Sequence, residues 1–167
     1  AVNAGSVSIV KGVISEDDFV PFYTGGMKNE SVIRHMAVKP WEPSFKARNL
    51  RIRTFFDYSD LVIPEGLLYA RLTTPAGRSF SILDNVTRLG LTFKTSQDSS
   101  FIWVTYLRTG KPAISVPVEI RGDDNKVLWS GVTDKNGFAD APGWVKLGIA
   151  DWPRWQRPSL WLFARAN

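Results

Sequence analysis

Side chains able to do chemistry are few in this chain, and their scarcity narrows what it does. Among 167 residues there is one histidine, His35, and no cysteine. Without a thiol there are no disulfides, thiolate metal sites or cysteine nucleophiles. One imidazole leaves zinc sites and Ser-His-Asp triads short of parts. His35 sits in Val32-Ile33-Arg34-His35-Met36-Ala37-Val38, a run that reads as a strand, so a partly buried structural imidazole is expected. The most pointed stretch is rich in tryptophan: Trp144, Trp152, Trp155 and Trp161, with Arg154 and Arg157 interleaved. Trp152, Arg154, Trp155 and Arg157 form the candidate interface, because Trp and Arg are enriched in protein hot spots and sugar platforms. The competing reading is a long loop whose indoles cover one end of a fold, with arginine stacked on them. A small core needs large apolar residues, which favours packing.

Acidic groups invite calcium or glycosidase readings. Asp123-Asp124-Asn125 and Asp134-Lys135-Asn136-Gly137 have the right residue types, but neither has the spacing of a twelve-residue calcium loop with its closing Glu. Both lie where hairpin turns are expected, and turns favour Asp, Asn and Gly for backbone reasons. Two glycosylation sequons, Asn29-Glu30-Ser31 and Asn85-Val86-Thr87, matter only in a eukaryotic secretory setting. No glycine-rich phosphate loop is present in the sequence. We therefore expect no catalytic residue, no cofactor and no metal.

The net charge of +5 raises the question of nucleic acid. Residues 1–83 carry ten Lys/Arg and eight Asp/Glu, and residues 84–167 carry eleven and eight, so the excess is mild and shared. The densest basic stretch, Lys46 to Arg53, puts Arg51 and Arg53 on one strand face and Leu50 and Ile52 on the other. That is a solvated face rather than a phosphate track, and no nucleic-acid partner is expected. No run of 18 apolar residues occurs, so no membrane-spanning helix is expected. The sequence opens at Ala1 without methionine, which suggests a processed product or an excised segment.

The elements that must hold these residues are strands. One short helix is expected from Ser15 to Phe22, capped by Ser15 over Glu16, Asp17 and Asp18 and limited by Pro21. Val7–Val13, Val32–Val38 and Leu50–Phe56 read as strands, and Leu67–Thr74 and Arg78–Leu83 form a hairpin around Pro75-Ala76-Gly77. A second set follows: Val86–Thr95, Phe101–Leu107, then Ile114, Val116, Val118 and Ile120 spaced by two, Val127–Val132 and Leu160–Ala164. Short strands with turns every eight to twelve residues argue for β-sandwiches. The expectation is an all-β protein of two tandem small antiparallel β-sandwiches, residues 1–83 (irregular at its N-terminal end) and residues 84–167.

A resemblance sharpens this. Val86-Thr87-Arg88-Leu89-Gly90-Leu91-Thr92 is followed by Phe101-Ile102-Trp103-Val104-Thr105-Tyr106-Leu107-Arg108-Thr109-Gly110-Lys111-Pro112, by Val116-Pro117-Val118, and by Thr133-Asp134-Lys135-Asn136-Gly137-Phe138-Ala139. This order resembles the macroglobulin domains of bacterial alpha-2-macroglobulins, sandwiches of the macroglobulin/fibronectin-III type. The sequence departs from the family pattern at Arg88, where Asp or a small residue is usual, and at Ile114-Ser115, where Ala-Gly is common. The resemblance covers residues 84–167 well and residues 1–83 weakly. It implies a periplasmic protease trap, in which a bait loop is cleaved and the attacker is caged, often through a Cys–Gln thioester.

Having no cysteine, this protein segment holds no thioester, and no stretch reads as a bait. It would be frame: partnered by neighbouring domains of its parent, meeting proteases only through the whole parent, and not an enzyme. Two other readings remain: an Ig-like stalk segment of a bacterial surface adhesin, and a carbohydrate-binding module using Trp152 and Trp155.

Overall fold

A sequence patterned this way has to place alternating apolar residues on one face of each strand, and the computed structural model does so in two separate units. It describes residues 7–41, 65–149 and 159–166. The units are Ala1–Val86 and Thr87–Asn167. The fold is all-β, built of antiparallel sheets with one short helix.

In the first unit, β1 (Val7–Ile14), β2 (Arg34–Trp41), β3 (Gly66–Thr73) and β4 (Ser79–Val86) form a four-stranded antiparallel sheet in the order β2-β1-β3-β4. Between β1 and β2 lies α1 (Glu16–Thr24). Ser15 caps it, its hydroxyl accepting from the Asp18 backbone N–H at 3.2 Å, with three acidic residues in the first turn where the helix dipole favours them. The helix runs to Thr24, two residues beyond the expected end at Phe22, and takes in Pro21. The proline's missing donor costs one rung of the ladder, but Val20 and Phe22 are buried, and tertiary packing rather than propensity decides a short helix. The helix stops instead at Gly25-Gly26, where Gly26 has φ +72° and the Met27 N–H reaches the Phe22 carbonyl at 2.8 Å.

The β3–β4 hairpin forms as expected, with Gly77 at φ 77°. β4 runs on to Val86, however, because the ladder with β3 continues through Leu67–Asn85 and Gly66–Val86. Val86 therefore closes this hairpin rather than opening the next strand. His35 lies on β2, its side chain outside what the structure describes, and the expected strand Leu50–Phe56 with Arg51 and Arg53 lies outside the described residues.

The second unit sets two three-stranded antiparallel sheets against one core. One has the order β5-β6-β9 (Leu89–Thr95, Ser99–Tyr106, Phe138–Pro142), and the other β10-β7-β8 (Trp161–Ala164, Pro117–Arg121, Val127–Val132). Ile102 and Val104 of β6 meet Val118 and Ile120 of β7 in a core completed by Leu89, Ala139, Leu147 and Ile149. The period-two reading of Ile114 to Ile120 holds for Val116, Val118 and Ile120 but fails for Ile114, which is 55% exposed. Ser115 adopts φ 57°, which breaks the alternation. Buried Thr133 fixes this kink: its hydroxyl donates to the Ala113 carbonyl at 2.7 Å and accepts from the Val116 N–H at 2.9 Å.

Candidate interface on the second unit

The four residues singled out in the sequence, Trp152, Arg154, Trp155 and Arg157, lie outside the described residues. What the structure describes is where that segment rejoins the fold. Asp123, in the β7–β8 turn, accepts from the Ser159 backbone N–H and the Trp161 indole Nε1–H, both at 2.9 Å. Trp144, at the other end of the tryptophan-rich stretch, is half-buried against the core. Trp144 and Trp161 are thus structural, one by packing and one by a hydrogen bond.

Strand alternation puts Glu119 and Arg121 on the outer face of the β10-β7-β8 sheet, opposite Val118 and Ile120. Glu119 there sits between two guanidinium groups. Arg165 donates to both its oxygens at 2.7 and 3.0 Å, and Arg121 donates through Nε and Nη2 at 3.0 and 2.8 Å. The Arg165 bonds, and then those of Arg121, hold the Glu119 carboxyl down at about 2 against the cost of its partial burial. Arg121 lies 4.7 Å from the centre of the Phe163 ring on β10, a cation–π contact, and is only 5% exposed. The cluster fastens the four-residue strand β10 to β7 through side chains as well as backbone. A carboxylate so stabilised is a poor general base near neutral pH.

The opposite sheet has a different outer face. Phe101 and Trp103 of β6 point away from the core, because Ile102 and Val104 between them are buried. Phe138 of β9 stands opposite Trp103, with ring centres 5.9 Å apart, and 4.9 Å from Phe101. Trp103 is 38% exposed. The rings are tilted by about 50° to one another rather than coplanar, which suits apolar contact better than a flat sugar-stacking platform.

The acidic turns are occupied by the backbone. One Asp134 carboxylate oxygen accepts from the Asn136 and Phe138 N–H groups, both at 2.8 Å, and the Phe138 bond chiefly lowers its pKa. Asp124 accepts from the Lys126 N–H at 3.1 Å, and Asn125 takes φ 63°. Among the described residues no group of three or more His, Cys, Asp or Glu is placed to hold a metal. No described helix is long and apolar enough to cross a membrane.

Sequence reasoning did not single out Glu119, Arg121 or Arg165, and it took Asp123 only as a hairpin-turn residue. Alternation around Val118 and Ile120 could have placed Glu119 and Arg121 on one outward face, but Arg165 comes 44 positions after Arg121, beyond the reach of local pattern.

Residues 86–149 match the family model of the bacterial alpha-2-macroglobulin MG3 domain. Over that stretch the second unit resembles a bacterial macroglobulin domain. The macroglobulin fold also extends to solved structures at low identity. All of this sequence aligns, at 16% identity and a TM-score of 0.75, with 54% of a crystal structure of native alpha-2-macroglobulin from Escherichia coli spanning domains MG0-NIE-MG1. A second crystal structure from that organism, spanning NIE-MG1, aligns over 82% of its length at 15% identity and a TM-score of 0.71. In the cryo-electron microscopy structure of the native E. coli protein the match takes in 11% of the length, at 15% identity and a TM-score of 0.57. The 167 residues thus span about half of the first of these structures. The macroglobulin ordinal differs, MG3 in the family model and MG1 in the crystal structures; what they share is the domain type. Comparison with curated proteins finds no match.

Proposed function

We propose that this protein segment is a non-catalytic frame piece of a bacterial alpha-2-macroglobulin-type inhibitor of broad endopeptidase specificity. The observation that carries the reading is the macroglobulin MG3 match over residues 86–149, in a unit whose Glu119 and Asp134 carboxylates are taken up by structural bonds. In this reading residues 84–167 are one frame domain and residues 1–83 its macroglobulin-like neighbour. The partners are other domains of the parent, and proteases engage only the assembled parent. The compartment that follows is the periplasm. Trp152, Arg154, Trp155 and Arg157 remain the proposed contact surface toward a neighbouring domain. Bait cleavage and steric capture belong to the parent, and this segment transmits geometry between its neighbours.

A trapping assay on the parent protein tests this. The parent is mixed with a broad endopeptidase, and residual activity is read on a large protein substrate and on a small peptide. Loss of the first with retention of the second is expected for a steric cage. Equal activity on both would remove the trap and leave a stalk segment as the better reading.

A further inference from the structure

Asn136-Gly137 is the one Asn-Gly pair in the sequence. That pair is chemically unstable in a flexible peptide. The deprotonated Gly137 amide nitrogen can attack Asn136 Cγ, closing a succinimide as the bond from Cγ to the carboxamide nitrogen breaks and ammonia leaves; water then opens the ring to aspartate or isoaspartate. Glycine makes this easy because it has no Cβ to obstruct the approach.

The folded turn opposes each part of that step. The attacking nitrogen is already a donor, its N–H bonded to the Asp134 carbonyl at 3.0 Å. Asp134 Oδ1 holds the N–H groups of Asn136 and Phe138 at 2.8 Å each, so the backbone on both sides of the bond is pinned. Gly137 is buried at φ 77°, with its carbonyl accepting from the Val104 N–H of β6 at 2.9 Å. Asn136 itself is exposed, so water reaches its amide and only backbone geometry withholds the reaction.

We propose that Asn136 is a deamidation site masked by the Asp134 cradle, so that the modification records time spent with this turn open. An isoaspartate at 136 would lengthen the backbone by one methylene inside a turn where Gly137 is fixed to Val104. A molecule marked while unfolded therefore does not rebuild the β6–β9 edge.

The test incubates the 167-residue protein at mildly alkaline pH in native buffer and in urea, with peptide mapping by mass spectrometry to score aspartate and isoaspartate at position 136. Native deamidation should be slower by at least about tenfold, since the turn must open first and each 1.4 kcal/mol of opening is a factor of about ten. Asp134→Ala should raise the native rate at Asn136 and leave that at Asn125 unchanged, while Asp134→Asn, which keeps an acceptor oxygen, should stay slow. Refolded monomer recovered from urea should be depleted in isoaspartate 136. Equal rates in native buffer and urea would overturn the proposal, and so would refolded monomer carrying isoaspartate 136 undepleted.

Discussion

The two units close their cores by different means. In the second, two sheets face each other over a mainly apolar core, in which Ile102, Val104, Val118 and Ile120 are almost wholly removed from water. In the first, a sheet is joined by a helix, and the residue at the join is polar. Tyr69 of β3 is fully buried, stacks edge-on against Phe22 of α1 at 5.3 Å, and donates its hydroxyl hydrogen to Glu30 Oε1 at 2.8 Å. Arg71 holds the other oxygen of Glu30 at 2.9 Å. Burial raises the Tyr69 pKa, which keeps the phenol neutral and donating. A sandwich core excludes water by area alone, whereas a helix laid on a sheet has an orientation to define, and here a directional hydrogen-bond network ties the 3-10 turn Glu30–Val32 to β3.

Truncation inside the second core should give the largest effect. Ile120→Ala leaves a cavity among residues with no room to relax, and a loss of about 4 kcal/mol is expected in urea denaturation. A loss below about 1 kcal/mol would mean that this core is loosely packed. Gly137→Ala comes next, at about 3 kcal/mol, because a Cβ there would run into the Val104 carbonyl and φ 77° is unfavourable for alanine. Hydrogen exchange should report that loss at β6 and β9 and leave β1 and β3 unchanged.

The ionic face is worth less and depends on pH. Glu119 is held below its ordinary value of 4.5, at about 2, so its contribution is fully present above pH 4.5 and is lost as the pH falls toward 2. After allowance for solvent screening, that contribution is about 2 kcal/mol. Glu119→Gln should remove it and flatten the acid limb of the stability curve, with exchange at β10 rising first. An unchanged acid limb would show that β10 is held by its apolar residues alone. In the first unit, Tyr69→Phe keeps the ring packing and removes one donor from Glu30, for an expected loss of about 1 kcal/mol. That value, set beside the Ile120→Ala result, measures how far the first core relies on its polar network. Smallest of all, Trp103→Ala on the outer aromatic face should shift stability by about 0.5 kcal/mol or less in these 167 residues on their own.

Much of this was legible in sequence, and the exceptions have a common cause. Period-two alternation identified most of the strands of the second unit and the turn residues between them, because a half-buried strand writes its burial directly into every second position. Ser15 and the acids after it announced the helix start through local capping chemistry. Local signals misled where a distant contact outweighed them. Pro21 read as a limit that ends the helix near Phe22, yet the burial of Val20 and Phe22 carries it on to Thr24; Ile114 read as core, yet Thr133 kinks the backbone and turns it outward.

The residues on the outer faces divide along the same line. Phe101 and Trp103 follow from alternation alone. The meeting of Glu119 with Arg165, and of Asp123 with Ser159 and Trp161, required the backbone to return after about forty residues and lay β10 beside β7. By itself the sequence determined the secondary structure of most segments, the lack of thiol chemistry and the likeness of residues 84–167 to a macroglobulin domain, since these depend on composition and on neighbours a few positions apart. Tertiary structure decided which charged groups lock a strand and which residues face out at a kink, because those outcomes depend on pairings between distant segments that no local period encodes.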